Sequence, residues 1–193
     1  MSQQDQVRTG GEILVSALRV HGVDTVFGVP GESALPFFDA VAKEGSGVRF
    51  VQCRHEANAC HMAEADAKLR GQPSACIVSR GPGAMHAAIG LHTAKQDSTP
   101  LILIVGQVPT NERTREGFQE VDYGRTFGDM TKWVGEVPSA DMIPEYVSRA
   151  VNFAIQGRPG PVVLVVPEDV FGMTSSVPDY PPCKPAHAGP SPA

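Results

Sequence analysis

Apolar residues recur along this chain in two alternating rhythms, one helical and one continuous. Ile13, Leu14, Ala17 and Leu18 fall at helical spacing and stop at His21-Gly22, which predicts a first helix with a glycine end. Thr25-Val26-Phe27 reads as a strand running into Gly28-Val29-Pro30-Gly31, and Leu35, Phe38 and Val41 mark a second helix. Val48-Arg49-Phe50-Val51-Gln52 looks like a buried strand. Cys53-Arg54-His55-Glu56 ends it and opens an Ala-rich helix that Gly71 stops. Ser74 to Ser79 is another apolar strand, and Arg80-Gly81-Pro82-Gly83-Ala84-Met85 turns it into the next helix. Leu101-Ile102-Leu103-Ile104-Val105 is apolar throughout, as in parallel strands covered on both faces.

The stretch from Gln107 to Asp129 is charged and aperiodic, which predicts a functional loop with a short helix rather than a core element. Trp133 to Val137 reads as a short edge strand, and Ile143 to Ile155 as an amphipathic helix with Tyr146, Val147, Ala150 and Ala154 on one face. Gly157-Arg158-Pro159-Gly160 leads into a last apolar strand, Pro161 to Val166. Repeated strand–helix alternation predicts an α/β fold: one doubly wound, mainly parallel sheet with helices on both faces. Proline-rich sequence from Val177 onward is linker chemistry.

Composition narrows the function classes. With 193 residues, 41% hydrophobic and 19% charged, the chain fills one core. A net charge of −5 with scattered basic residues gives no footprint for nucleic acid or an acidic membrane. No apolar run reaches the roughly 20 residues that span a bilayer, and the polar start Met1 to Gln6 lacks a secretory layout, so a cytoplasmic protein is expected. Cys53, Cys60, Cys76 and Cys183 lack the spacing of a zinc or disulfide framework and are expected to be free thiols. His61, His86 and His92 form no pair with metal-ligand spacing, so no metal site is expected and structural or solvent-facing roles are assigned to them.

Two strand ends carry the chemistry. Glu56 lies where open α/β sheets place their ligands, at the mouth of a strand, and is a candidate acid or base as well as a helix-start charge. Gly81-Pro82-Gly83 lets the backbone approach a ligand and is neither a Walker loop nor a dinucleotide fingerprint.

These pieces resemble the pyrimidine-binding (Pyr) domain of thiamine diphosphate enzymes, in particular the acetolactate synthase and benzaldehyde lyase group. The likeness runs from Gly11 to about Val170. It is carried by Phe27-Gly28-Val29-Pro30-Gly31, Arg54-His55-Glu56 with His61-Met62-Ala63-Glu64, and Gly81-Pro82-Gly83-Ala84. It continues through Asp97-Ser98-Thr99-Pro100, Gly106-Gln107-Val108-Pro109, Phe118-Gln119-Glu120 and Gly157 to Val162. The resemblance implies the thiamine diphosphate-binding fold of Pyr type over residues 1–172, with 173–193 a linker toward a central domain. It implies decarboxylation and carboligation of 2-keto acids, with Glu56 driving the cofactor's aminopyrimidine toward its imino form. Pro30, Gly31, Gly81, Pro82 and Gly83 would touch the cofactor. Gln119 would reach the active site across a subunit interface, or else be a surface glutamine in a loop.

Glu32 stands where synthases usually have a second glycine and Arg80 where they usually have a small hydroxyl residue, so Glu32, Arg80 and Phe118 are assigned to the substrate side. Glu32 and Arg80 would pair with each other, or Arg80 would face an acidic substrate, or both would face solvent. Asp97 is assigned to capping or pinning a loop. The Gly-Asp-Gly motif that holds Mg2+ and the diphosphate in the family does not occur in these residues, and Gly128-Asp129-Met130 does not replace it. The segment gives no support for FAD. A homodimer or homotetramer is implied, and Ala59, Met62, Ala63, Met85 and Ala88 are expected to pack between subunits. The alternatives are a separate Pyr subunit of a two-chain decarboxylase and a non-catalytic Pyr-like binding module.

Overall fold

The computed structural model describes residues 7–182, so the polar start and Cys183 lie outside the described residues. Strands β1 (Arg8–Thr9) to β8 (Thr174–Ser175) alternate with seven helices. The main sheet holds β2 (Thr25–Gly28), β3 (Arg49–Gln52), β4 (Ser74–Ser79), β5 (Leu101–Gln107), β6 (Val134–Glu136) and β7 (Val162–Pro167). Its order is β3-β2-β4-β5-β7-β6 and every neighbouring pair is parallel. The doubly wound sheet expected from the alternation is therefore present. The chain goes from β2 outward to β3 and then returns to the far side of β2 for β4. The winding thus reverses between β2 and β4, where such sheets open a crevice at their carboxyl ends.

Side chains alternate across the sheet, and each of the central strands feeds two cores. On β5, Ile102 and Ile104 join the core with helices α1 (Gly10–Val20), α2 (Leu35–Ala42) and α6 (Ile143–Ile155), while Leu101, Leu103 and Val105 face the other side. That side is covered by α3 (Glu56–Arg70) and α4 (Arg80–Gln96). On β7, Val162, Leu164 and Val166 divide from Val163 and Val165 in the same way. Two-sided cover is why these strands read as unbroken apolar runs.

Some expectations are corrected. β3 is an edge strand whose residues are half-buried or exposed, because it pairs with β2 alone. The stretch after β5 does contain a short helix, α5 (Tyr123–Phe127), but Tyr123 and Phe127 are fully buried, so it adds to the core. Ala59 and Ala63, assigned to a subunit interface, are buried within their own chain, whereas Met62, Met85 and Ile89 are exposed. α3 and α4 pack so closely that a Cβ at Gly90 would lie 2.6 Å from Cys60 Sγ.

β1 and β8 form a small antiparallel clip after α7 (Glu168–Gly172). Arg8 and Ser16 both bind Asp179, at 2.8 and 2.5 Å, so part of the segment assigned to the linker is tied to α1. Among the described residues no helix is long and apolar enough to cross a membrane.

Candidate functional site

The carboxyl ends of β2, β3 and β4 converge on Glu56. His55 leaves β3 in extended conformation and caps α3, accepting the Ala57 N–H at Nδ1 (3.2 Å), which fixes Glu56 as the first helical residue. Its carboxylate is 18% exposed and turns toward α4. Oε2 lies 2.8 Å from His86 Nδ1, and the His55 and His86 rings stack with centroids 4.6 Å apart. Oε1 lies 3.6 Å from where a Cβ on Gly83 would be. The missing side chain of Gly83 thus leaves one carboxylate oxygen uncovered while His86 holds the other.

The neighbouring loops are built by close backbone approach. A Cβ on Gly31 would come 2.2 Å from Ser79 Cβ, and one on Gly106 would come 2.2 Å from Ser33 Oγ. Ser33 and Ser79 share a hydrogen bond of 2.8 Å. These contacts seat the Pro30-Gly31-Glu32 turn directly against the end of β4. The Gly81 N–H donates to the Gln119 carbonyl (3.0 Å), so it is the backbone of Gln119 that docks here. The side chains of Gln119 and Phe118 point outward, Phe118 being 68% exposed. Pro82 is exposed beside buried Gly81 and Gly83.

Arg80 pairs with Glu32, one of the three arrangements expected, and more tightly with Glu168. It is buried and adopts φ +47°. Its Nη2 binds Glu168 Oε2 at 2.6 Å, while Glu32 Oε1 is 3.7 Å from Nη1 on a side chain 71% exposed. Nη1 also donates to the Phe118 carbonyl (3.4 Å), and the guanidinium lies 5.9 Å from the Phe118 ring centroid. Glu168, from the end of β7, is thus the main partner, and a solvent-facing role for Arg80 is excluded.

The loop carrying Phe118 and Gln119 is held by Glu120. Its carboxylate accepts the N–H groups of Thr114 (2.8 Å) and Gly117 (3.1 Å) and meets Arg113 at 2.6 Å, while Arg113 also clasps Glu136 on β6. The Thr114 bond foremost, with Gly117 and Arg113, holds the Glu120 carboxyl below its usual range. A carboxyl depressed on folding stabilises above its unfolded pKa of about 4.3, and that contribution disappears as pH falls through the lower folded value. The 113–120 loop is therefore expected to loosen below about pH 4. Glu120→Gln should loosen it at neutral pH by about 1–3 kcal/mol. Amide exchange at Gly117 and Gln119 checks both; unchanged protection would remove Glu120 as the clasp.

His86 and Glu168 escaped the sequence reading. His86 sits three residues after Gly83, one helical turn on, and that spacing was a usable signal. His55, left out of the histidines considered for a metal, joins Glu56 and His86, and the three bring ligand atoms within 4.8 Å of one another. Other motif residues hold the frame. Asp97 binds Lys68 (2.5 Å), Thr99 binds Glu64 (3.1 Å), and Arg158 binds Ser98 Oγ (2.8 Å), joining the ends of α3 and α4 to the turn before β7. Cys53, Cys60 and Cys76 are free and buried, and burial pushes the Cys76 thiol well up. A hollow of about 400 Å³ beside α1 contains none of the site residues; Arg8 and Asp179, and Lys43 and Glu12, pair within it.

Comparison with known proteins adds a family. The family model described as thiamine pyrophosphate enzyme, N-terminal TPP binding domain, matches residues 8–125. The acetolactate synthase large subunit of Parasynechococcus marenigrum is 40% identical over 169 residues, covering 86% of this chain and 27% of its own. That of Haemophilus influenzae is 38% identical over 174 residues, covering 90% and 30%. The mitochondrial acetolactate synthase catalytic subunit of Saccharomyces cerevisiae is 38% identical over 162 residues, covering 84% and 23%. The chain spans less than a third of the length of these relatives.

Proposed function

Since the chain belongs to the thiamine pyrophosphate enzymes, matching their N-terminal TPP binding domain, we propose that it supplies the proton-relay half of an acetolactate synthase-like active site. The reaction class is decarboxylation and carboligation of 2-keto acids. The observation that carries this reading is the Glu56 carboxylate at the winding reversal, with Oε1 uncovered above Gly83 and Oε2 held by His86. Gly31 and Gly81 let the two strand-end loops pack directly on Ser79 and on the Gln119 backbone, and the missing side chain of Gly83 leaves room beside Glu56 Oε1, a carboxylate oxygen that fits an aminopyrimidine. When bound, thiamine diphosphate would supply a thiazolium carbon that gives up its proton and accepts electrons from the decarboxylating substrate.

This chain's residues do the rest. Glu56 exchanges a proton at Oε1 while the His86 contact stops the carboxylate from rotating away. Pro30, Gly31, Gly81, Pro82 and Gly83 bind and orient the ring. Phe118 and Gln119, pointing outward from a clasped loop, meet substrate or a second copy of the chain. On the substrate side Arg80 is neutralised by Glu168, and Glu32 adds a further negative charge. That balance disfavours a keto acid with a second carboxylate and favours one with a neutral side chain, such as pyruvate. Mg2+ would be held by residues outside these 193, which contain no Gly-Asp-Gly. The exposed Met62, Met85 and Ile89 support self-association along α3 and α4.

The test joins this domain to a diphosphate-binding domain in one polypeptide and assays pyruvate against 2-ketoglutarate. Acetolactate formation with a preference for pyruvate is expected. Preference for the dicarboxylic acid would refute the charge argument, and no cofactor-dependent turnover of any keto acid would refute the function. The 193 residues alone are expected to show no turnover and little affinity for thiamine diphosphate in calorimetry; tight binding would refute the two-part site.

A further inference from the structure

We propose that His55, Glu56 and His86 form a site for a transition-metal dication of the Zn2+ class. Two imidazoles and one carboxylate are a donor set that such ions take with three protein ligands, water completing the shell. The three ligand atoms lie within 4.8 Å of one another. A tetrahedral ion with bonds of about 2.0–2.1 Å needs ligand atoms about 3.3 Å apart, so the widest pair closes by about 1.5 Å at most. Both imidazoles are on exposed residues and need only side-chain rotation.

Glu56 Oε2 and His86 Nδ1 already face each other at 2.8 Å, and the His55 ring stacks on that of His86. The ion takes the place of the proton now shared between Glu56 and His86. His55 binds through Nε2, so its ring proton moves to Nδ1 and the cap on the Ala57 N–H is given up. The amino end of α3 repels a cation weakly, and one carboxylate with two imidazoles outweighs it. Ion binding stands on this geometry alone. Its consequence, that a bound ion takes Glu56 away from the aminopyrimidine and silences the site, rests on the function proposed above.

Co2+ is the probe, because its visible spectrum reports coordination and separates thiolate from imidazole ligands. The 193-residue chain is titrated with Co2+, alongside His86→Asn, Glu56→Gln and His55→Asn, the last of which retains a capping side chain. His92→Ala is the control, and circular dichroism checks folding. One ion per chain is expected, without a thiolate charge-transfer band and unchanged in the control. His86→Asn and Glu56→Gln should each weaken binding at least about 10–100-fold. A thiolate band, unaltered affinity in His86→Asn, or no binding by the parent chain overturns the site. Failure here leaves the cofactor reading standing. Full catalysis by Glu56→Gln in the two-domain polypeptide would instead remove that reading and leave the ion site.

Discussion

Glu56→Gln, in a polypeptide that also holds a diphosphate-binding domain, is expected to cut exchange of the thiazolium C2 proton by about 10²–10⁴-fold while leaving the fold intact. Glutamine has the same shape, so the packing around a half-buried side chain is preserved, and its amide still meets His86 Nδ1 at the 2.8 Å contact. What it loses is the capacity to take and return a proton. Stability should change by no more than about 0.5–1 kcal/mol. Gly83→Ala is the geometric companion. Its new Cβ would sit 3.3 Å from Val78 Cβ and 3.6 Å from Glu56 Oε1, close enough to fit yet placed between carboxylate and ligand. A folded protein with activity reduced by up to about 10²-fold is expected. Near-wild-type exchange in Glu56→Gln would return Glu56 to a helix-start charge.

The buried part of the fold was legible because burial on both faces writes itself into consecutive residues. β5 and β7 are unbroken apolar runs for that reason, and α1 shows its helical period because only one side of it is buried. β3 misled, since Val48, Phe50 and Val51 look like a core run although the strand has a neighbour on one side only. Nothing in a local pattern marks which strand the winding leaves at the edge. The β1–β8 clip is two residues on each side and has no period to detect. At the site, Glu56 and the glycines were legible because backbone approach demands particular residue types. The Arg80–Glu168 pair was not, because 88 residues separate its members and only the strand order brings them together.

Arg80 carries the second large effect, and two substitutions divide its two roles. Arg80→Ala removes the guanidinium that joins Glu168 to the Phe118 loop and leaves Glu168 without its cation. Breaking a buried pair costs about 3–5 kcal/mol, but Glu168 is 38% exposed and regains water, so about 1–3 kcal/mol is expected after screening. Alanine also keeps the left-handed backbone at φ +47°, which costs an L-residue about 1–2 kcal/mol. Arg80→Gly loses the same ion pair and relieves that strain. Glycine should therefore be the more stable of the two by about 1 kcal/mol, the reverse of their order at an ordinary position. Urea unfolding of both variants measures the difference, and amide exchange at Gly81 and Gln119 reports whether the loop has come away from α4. Alanine equal to or more stable than glycine would mean that the backbone at residue 80 is unstrained; unchanged stability in both would mean that Glu168 and the loop are held without the guanidinium.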